Sequence, residues 1–343
     1  MRVAVDEYSF VYVKLALLKS LLMSPEDNQK IKTFDNLDSL GTFTKRFFPN
    51  FSPKEHNILE FERSLWNTYF DIIEKIIVAS PESIQIFLKS LLIRYEIWNI
   101  KQAVFGIIEK TSLEIILDQI FFKPGIMLER DVFISKLIKA KSIKGIYKVI
   151  KKTPYEKIIE KNLQEFEKSG EIFHLENELD KFNYTNMIEK VNFLPKREKK
   201  LISPYINSQI DYYNLNLIYR ALYNGISLDL IKPYVIFQGF LFTKSQINQF
   251  CKSSSMEDFL SYLAMILKNK KEFDFLSELL EKPDPEIWAK LSSYFLNQFL
   301  LYFKEGIISD IQISSLALIF QIILLKEMEI NDIRAQAVKI SVI

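Results

Sequence analysis

The sequence predicts an all-α protein that contains three copies of one helical unit. Three observations support this prediction: glycine is scarce, apolar residues recur with the helical period, and one short motif returns at a nearly constant interval. Only 8 of the 343 residues are glycine and 11 are proline. Tight hairpins and nucleotide-binding turns use glycine because it adopts positive φ without steric cost. Long helices have no such requirement, so the composition favours helices.

One motif occurs three times along the chain. An acidic residue is followed three positions later by asparagine or aspartate and then by an aliphatic residue. The three motif pairs are Glu96 with Asn99, Asp211 with Asn214, and Glu329 with Asp332. The acids are 115 and then 118 positions apart, which gives a repeat of about 115 residues.

The repeat extends beyond the motif. Residues 112–116 match 227–231 at an interval of 115, and residues 124–126 match 238–240 at 114. Residues 24–51 resemble the stretch that follows the first motif, so we expect them to complete the third copy.

We divide the chain into three helical repeats on this basis, at 1–112, 113–227 and 228–343. The first segment of the chain completes the last copy. The sequence therefore predicts one closed, three-lobed unit and not an open solenoid, in which each repeat contacts only its neighbours.

Apolar stripes give the motif segments their helical character. Ile93, Ile97, Ile100, Val104 and Ile107 advance by four and three positions in turn, which places them on one helix face. Serine followed by proline is a typical helix start. Such pairs begin at Ser24, Ser80 and Ser203, where we predict helix N-termini.

Composition argues against several classes of function. A formal net charge of +2 gives no basic excess for nucleic-acid binding. Cys251 is the single cysteine and is predicted to be a small buried hydrophobe. His56 and His174 are too isolated for a recognisable metal site, and no Gly-rich phosphate-binding loop occurs. We expect no catalytic residue, no metal site and no cofactor.

The longest apolar run, residues 311–325, is too short to span a bilayer, which takes about 20 residues. Asp310 and Lys326 bound it, so a buried core helix is predicted there. The first ten residues contain an acidic pair where a signal peptide would be apolar. We therefore expect a soluble chain.

The sequence resembles the family of C subunits from V/A-type rotary ATPases, whose eukaryotic member is named d. The resemblance rests on IDYYNLNLIYRALYNGISLDLI (210–231), RYEIWNIK (94–101), FHLENELDKFNY (173–184) and EMEINDIR (327–334). It covers nearly the whole chain in the correct order.

The resemblance implies three helical bundles with approximate threefold pseudosymmetry around a central funnel. It also implies a non-catalytic rotor subunit in the central stalk of an ion-transporting ATPase or ATP synthase. Such a subunit lies on the cytoplasmic face of the membrane and passes torque between the central-axle subunits and the proteolipid ring. Membrane contact is expected only through partners or lipid headgroups, and nucleic acid is not an expected partner.

The motif residues admit two interpretations. Either the acid and amide hydrogen-bond across to an adjacent helix, fix its register and satisfy each other, or they face the cavity and contact the axle. The first is favoured because an asymmetric axle cannot meet three copies alike. Arg220 and Arg334, near the motifs of the second and third copies, are grouped with them as structural residues.

Seven lysines occur between residues 136 and 152, and no acid occurs between Val132 and Tyr155. The spacing predicts that Lys141, Lys144, Lys148 and Lys151 share one helix face. The matching stretch of the next copy, residues 251–267, is not basic. The lysines form either a solvated face or a docking surface for an acidic subunit or lipid phosphates.

Two functions from different classes remain. The first is the rotor subunit described above, and the alternative is a free-standing helical-repeat scaffold that binds soluble proteins. An enzyme ranks third because the sequence shows no nucleophile with a base and an orienting acid.

Overall fold

The structure is a computed structural model that describes residues 2–53, 58–169, 172–267, 293–294, 297–303 and 315–342. Throughout these ranges the regular elements are helices, and no strand is present. They are α1 (Arg2–Lys19), α2 (Pro25–Ile31), α3 (Leu37–Thr44), α4 (Ile58–Ala79), α5 (Glu82–Ile108), α6 (Leu113–Gln119), α7 (Phe122–Met127), α8 (Asp131–Ile138), α9 (Ile143–Ile150), α10 (Glu156–Ser169), α11 (Phe173–Val191), α12 (Lys196–Tyr223), α13 (Leu228–Ile231), a 3₁₀ turn (Lys232–Tyr234), α14 (Lys244–Phe250), α15 (Met256–Leu267) and α16 (Ser315–Val342). The prediction of an all-α protein is confirmed for this part of the chain.

The chain divides into two compact units. Unit 1 comprises Met1–Pro195 with Phe303–Ile343, and unit 2 comprises Lys196–Tyr302. The first and third motif helices, α5 and α16, belong to unit 1, and the second, α12, belongs to unit 2.

Helix α5 forms the centre of one half of unit 1 and packs against α4, α6, α7, α8, α9 and α11. Its predicted apolar stripe is confirmed, because Ile93, Ile97, Ile100 and Val104 are buried and Ile107 packs on the same core. Leu137 and Ile146 from α8 and α9 complete this core. The short helices after α5 are therefore anchored by apolar burial, the dominant favourable term in folding.

Helix α16 forms the other half of unit 1, where it packs against α1, α2, α3 and α4. Its first half carries the predicted apolar run, and Leu316, Ile319, Phe320 and Ile323 are buried. A buried core helix is thus confirmed from residue 315, and residues 311–314 lie outside the described ranges. None of the helices described is both long and apolar enough to cross a bilayer.

The beginning of the chain packs on its end in unit 1. Helices α2 and α3 lie against α16, so residues 24–51 stand beside the third motif as the sequence predicts. Ser24 caps α2 in a full capping box with Asp27, which confirms the first predicted helix start.

The second predicted helix start is confirmed in position, because α5 begins at Glu82, but Pro81 and not Ser80 is in the cap position. The hydroxyl of buried Ser80 donates to the carbonyl of Ile76. The third predicted start is wrong. Ser203 and Pro204 lie inside α12, which begins at Lys196. The Ser203 hydroxyl donates to the Lys199 carbonyl one turn back, so it is used inside the helix and caps no N–H group.

The first two motif helices end in the same way at matching positions. Lys110 has φ 53° and Gly225 has φ 67°, and these residues are 115 positions apart. The next N–H donates back to a carbonyl five residues earlier, from Thr111 to Gly106 at 2.9 Å and from Ile226 to Ala221 at 2.8 Å. Both are the left-handed helix ends that glycine normally occupies.

Candidate functional site

The motif asparagines of the first two copies hold a loop residue through two hydrogen bonds. The Asn99 side chain donates to the Phe121 carbonyl at 2.8 Å and accepts from the Phe121 N–H at 2.8 Å. Asn214 does the same with Ile236, at 2.8 Å and 3.0 Å. In both copies the loop residue lies 22 positions after the asparagine. An amide provides both a donor and an acceptor, so it satisfies the two polar groups of one backbone residue. We call this arrangement the amide clamp.

The motif acids reach different partners. Glu96 is fully buried and accepts from the guanidinium of Arg130 at 2.8 and 3.1 Å. Asp211 is also fully buried, but its Oδ2 accepts from the backbone N–H groups of Phe240 and Leu241 at 2.7 and 2.6 Å. The first copy therefore neutralises its acid with a side chain, and the second uses backbone dipoles.

Gly239 makes the second arrangement possible. A Cβ atom at this position would lie 2.1 Å from Oδ1 of Asp211, far inside van der Waals contact. Gly239 therefore lets the loop approach the carboxylate closely enough for the next two N–H groups to donate to it.

Burial raises the pKa of Glu96, and the adjacent Arg130 charge opposes that rise. Burial, the largest single effect, lowers the pKa of Arg130, but Glu96 and Tyr155 together outweigh it, so this pKa is raised. Tyr155 is buried, and burial raises the pKa of its hydroxyl well above the ordinary value, with the Glu96 charge adding to the rise. Glu96 and Tyr155 are buried and Arg130 is partly exposed.

The acid of the third copy is bound by a lysine and by a backbone N–H near the beginning of the chain. Glu329 accepts from the Met23 N–H at 2.7 Å and from the Lys326 ammonium at 2.6 Å. Lys326 is fully buried and also donates to the carbonyls of Leu21 and Phe47. We call Lys326 and Glu329, with the three backbone groups they bind, the terminal clasp, because it joins α16 to residues 21–47.

Asp332 does not form an amide clamp. It is exposed, and a carboxylate has no N–H to donate to a backbone carbonyl. Gln336, one turn later, is buried and donates to the carbonyl of Phe34 at 2.6 Å. An amide side chain thus still holds the loop of the third copy, from a different position on the helix.

The acid and amide of one copy bind separate groups and do not satisfy each other, and the amides bind loop backbone where an adjacent helix was predicted. The sequence does not single out Arg130, and it marks Lys326 only as the residue that bounds the apolar run 311–325. A signal for Lys326 is present in the sequence, because a lysine three positions before an acid in an apolar helix needs a buried partner. For Arg130 no spacing signal exists.

The remaining motif residues lie nearer the surface. Arg220 is exposed near the end of α12. Arg334 is half-exposed, and its Nε donates to Glu62 on α4 at 2.7 Å. Cys251 is buried as predicted, and burial raises the pKa of its thiol to about 11. His174 is half-buried against Phe173, and His56 falls outside the described residues.

Four predicted docking lysines are exposed, but they do not share one helix face. Helix α9 covers only Ile143–Ile150, so Lys144 and Lys148 lie in it, and Lys141 and Lys151 flank it. The helix stops here because Lys151 has ψ 134° and Lys152 has φ 70°, neither of which continues a helix.

Unit 1 also contains a groove of about 650 Å³ between α4, α5, the end of α6 and α16. Its aromatic wall comprises Trp66, Tyr95, Trp98 and Phe121. Trp98 is 45% exposed, and its indole N–H donates to the Gln119 carbonyl. Trp66 packs in the aromatic cluster, whereas Trp98 is only partly covered.

The groove's charged rim is held in ion pairs. Arg334 binds Glu62, Arg63 binds Asp118, and Arg94 binds Glu327. Tryptophan, tyrosine and arginine are the residues enriched at protein–protein contacts. In the part of the chain that is described, no group of His, Cys, Asp and Glu is arranged to hold a metal ion.

Comparison with known proteins gives a consistent result. The family model for the ATP synthase (C/AC39) subunit matches residues 13–341. The C subunit of the A-type ATP synthase from Pyrococcus abyssi is 26% identical over 293 residues, which cover 83% of this chain and 73% of that protein. The proteins of the same name from Methanosphaera stadtmanae and Methanobrevibacter smithii are 30% and 24% identical, over 37% and 62% of this chain. These two matches span 33% and 53% of the relatives' own length.

Proposed function

The chain belongs to the ATP synthase (C/AC39) subunit family, and from this membership we propose that it is the non-catalytic central-stalk subunit of a V/A-type ATPase or ATP synthase. It links the central-axle subunits to the membrane proteolipid ring and transmits torque during ion transport. The observation that carries the proposal is the family match, which extends over residues 13–341.

The motif geometry supports a mechanical role. A coupling protein must resist deformation, and close-packed interiors have low compressibility. In each copy the motif acid is buried and bonded to a neighbouring segment, as seen for Glu96, Asp211 and Glu329. These carboxylates stabilise the fold and need no part in catalysis.

We extend the same proposal to the architecture and the cellular position. The three repeats, divided at 1–112, 113–227 and 228–343, surround a central funnel that receives the axle. The protein lies on the cytoplasmic face of the membrane. Matching helix ends at Lys110 and Gly225, and matching amide clamps at Asn99 and Asn214, support a common origin for the first two repeats.

Arg220 and Arg334 act as structural residues in this proposal. The Arg334–Glu62 pair, which holds α16 on α4, supports the assignment for the third copy. The groove of unit 1 supports a role in an assembly, because its half-exposed Trp98 and arginine-rich rim have the composition of a partner contact.

Co-purification from native membranes tests the proposal. The tagged full-length chain is expressed at its natural level, the membranes are solubilised in mild detergent, and the recovered proteins are identified by mass spectrometry. We expect the central-axle subunits, the catalytic subunits and the proteolipid ring to be recovered together.

The alternative function predicts a different set of proteins. A free-standing scaffold would recover soluble proteins from the supernatant and no rotary ATPase subunits from the membranes, which would overturn the proposal. ATP hydrolysis by the purified chain alone would contradict the non-catalytic assignment separately.

A further inference from the structure

We propose that the lysines of α8, α9 and the turn after α9 form a binding surface for anionic lipid headgroups. All seven are exposed: Lys136, Lys139, Lys141, Lys144, Lys148, Lys151 and Lys152. We call them the lysine face. The inference goes beyond the proposed function, because it has this chain contact the bilayer directly as well as through partner subunits.

The stretch of chain that carries the lysine face contains no acid of its own. No acid occurs between Val132 and Tyr155, and Asp131 and Glu156 are the acids that bound this stretch. The carboxylate of Glu156 accepts from the backbone N–H of Lys152, and Glu160 accepts from the Tyr147 hydroxyl. Within the described ranges, no ion pair neutralises Lys136, Lys139, Lys141, Lys148 or Lys151.

Folding does not require these charges. The segment is anchored by its buried apolar side chains, which are Ile134, Leu137, Ile138, Ile143, Ile146 and Ile150. The matching segment of the second copy, residues 251–267, carries one lysine and two acids, and its helix α15 buries Phe259 and Leu263 in the same manner. A positive surface at this place is therefore a property of the first copy and not of the repeat.

The composition of the face favours lipid over a protein partner. None of the seven cations is arginine, the residue that recognises carboxylates through two parallel hydrogen bonds. Lysine is depleted at the core of protein–protein interfaces, where arginine and aromatic residues are enriched. A flexible ammonium group suits a diffuse layer of phosphates, and each lysine near an anionic membrane adds to the electrostatic attraction.

Vesicle binding of the purified full-length chain tests the proposal. The probes are vesicles of phosphatidylcholine alone and of phosphatidylcholine mixed with phosphatidylglycerol, and the bound fraction is measured by sedimentation. We expect binding to the mixed vesicles at low salt and its loss at high salt, since screening at 0.15 M acts beyond about 8 Å.

Two charge-matched variants provide the comparison. Lys141→Glu with Lys148→Glu reverses two charges in the lysine face, and Lys196→Glu with Lys200→Glu makes the same change at exposed positions of α12. The first variant should lower the partition coefficient on mixed vesicles by about tenfold or more, and the second should lower it much less. Both should keep the wild-type thermal unfolding midpoint, because all four side chains are exposed.

The proposal would be overturned if the wild type did not bind mixed vesicles at low salt, or if both variants lost vesicle binding equally. It would also be overturned if the wild type bound vesicles of pure phosphatidylcholine as well as it binds mixed vesicles. It would also be overturned if Lys141→Glu with Lys148→Glu kept vesicle binding but lost an acidic protein from the membrane co-purification. That result would assign the face to a protein. Recovery of the rotary ATPase subunits is a separate readout, so failure here leaves the proposed function intact.

Discussion

The first and second motif copies bind their loop residue in the same way and their buried acid in different ways. Both hold a loop residue 22 positions downstream with the amide clamp, through Asn99 and Asn214, at nearly identical distances. Their acids diverge: Glu96 pairs with the side chain of Arg130, and Asp211 binds two backbone N–H groups. The longer Glu96 reaches a side chain, and the shorter Asp211 requires Gly239 so that the backbone can approach it.

The comparison indicates which interaction the repeat preserves. The amide clamp fixes loop geometry relative to the motif helix, so its distances are nearly the same in both copies. The acid only needs compensation for its burial, which a guanidinium or backbone N–H groups supply equally well. The third copy differs in both respects. Its acid, Glu329, is bound by a lysine, and Gln336 instead of Asp332 holds the loop.

The largest effect is expected at the terminal clasp. Lys326→Met leaves the Glu329 charge buried without its cation and removes the donor to two backbone carbonyls, so it should lower the free energy of unfolding by about 3–5 kcal/mol. Adding Glu329→Gln should recover much of the loss, because the amide still accepts from the Met23 N–H. Denaturant unfolding of both variants measures the difference. Equal stability of the single and double variants would contradict the account of the clasp.

The next largest losses of stability are expected at the amide clamps. Asn214→Ala strands a buried backbone donor and acceptor of Ile236 and should cost about 2–4 kcal/mol. Asn99→Ala should cost less, because its hydrogen bonds with Phe121 are only partly buried and water can replace them. Urea unfolding of the two variants measures how much each clamp contributes to stability. A larger loss of unfolding free energy for Asn99→Ala than for Asn214→Ala would contradict this order.

The equivalent helix ends should respond in opposite directions. Gly225→Ala places a Cβ at φ 67° and should destabilise the protein by about 1 kcal/mol. Lys110→Gly relieves the same strain at φ 53° and should stabilise it by about 0.5 kcal/mol. Calorimetric midpoints measure both shifts. If both substitutions moved the midpoint in one direction, the two helix ends would not be equivalent.

The stability of the wild type should depend on pH in a way that the stability of Glu96→Gln does not. The folded pKa of Glu96 lies above its ordinary value of 4.5, so the folded state holds this proton more tightly than the unfolded chain. Its contribution to stability is fully present below pH 4.5 and is lost as pH rises through the folded pKa. The wild type should therefore gain stability relative to Glu96→Gln as pH falls from about 7 to 4.5. A constant difference over that range would contradict the raised pKa.

Periodicity and register made much of the fold predictable. The interval between repeats locates all three motif helices, and it correctly predicts that residues 24–51 lie beside the third motif. The amphipathic stripe identifies the buried face of α5, since it depends only on spacing along one helix. The continuous apolar run identifies the buried first half of α16.

Partners chosen by tertiary packing were not predictable. Arg130 lies 34 positions from Glu96, and Lys326 binds carbonyls 305 and 279 positions away, where sequence spacing carries no information. The failed helix start at Ser203 has a local cause, because Ser203 and Pro204 fit inside α12 as readily as they fit a first turn. The prediction that four lysines share one helix face failed for a local reason too. Helix α9 ends at Ile150 because the backbone angles of Lys151 and Lys152 are not helical.

The central claim is that the motif acids hold each copy together and do not contact partner proteins. Asp211→Ala tests it most directly, with unfolding free energy and recovery of ATPase subunits from membranes measured on the same variant. The account predicts a loss of about 2–4 kcal/mol, because the N–H groups of Phe240 and Leu241 lose their acceptor, with assembly of the folded fraction unchanged. Wild-type stability together with lost assembly would contradict it.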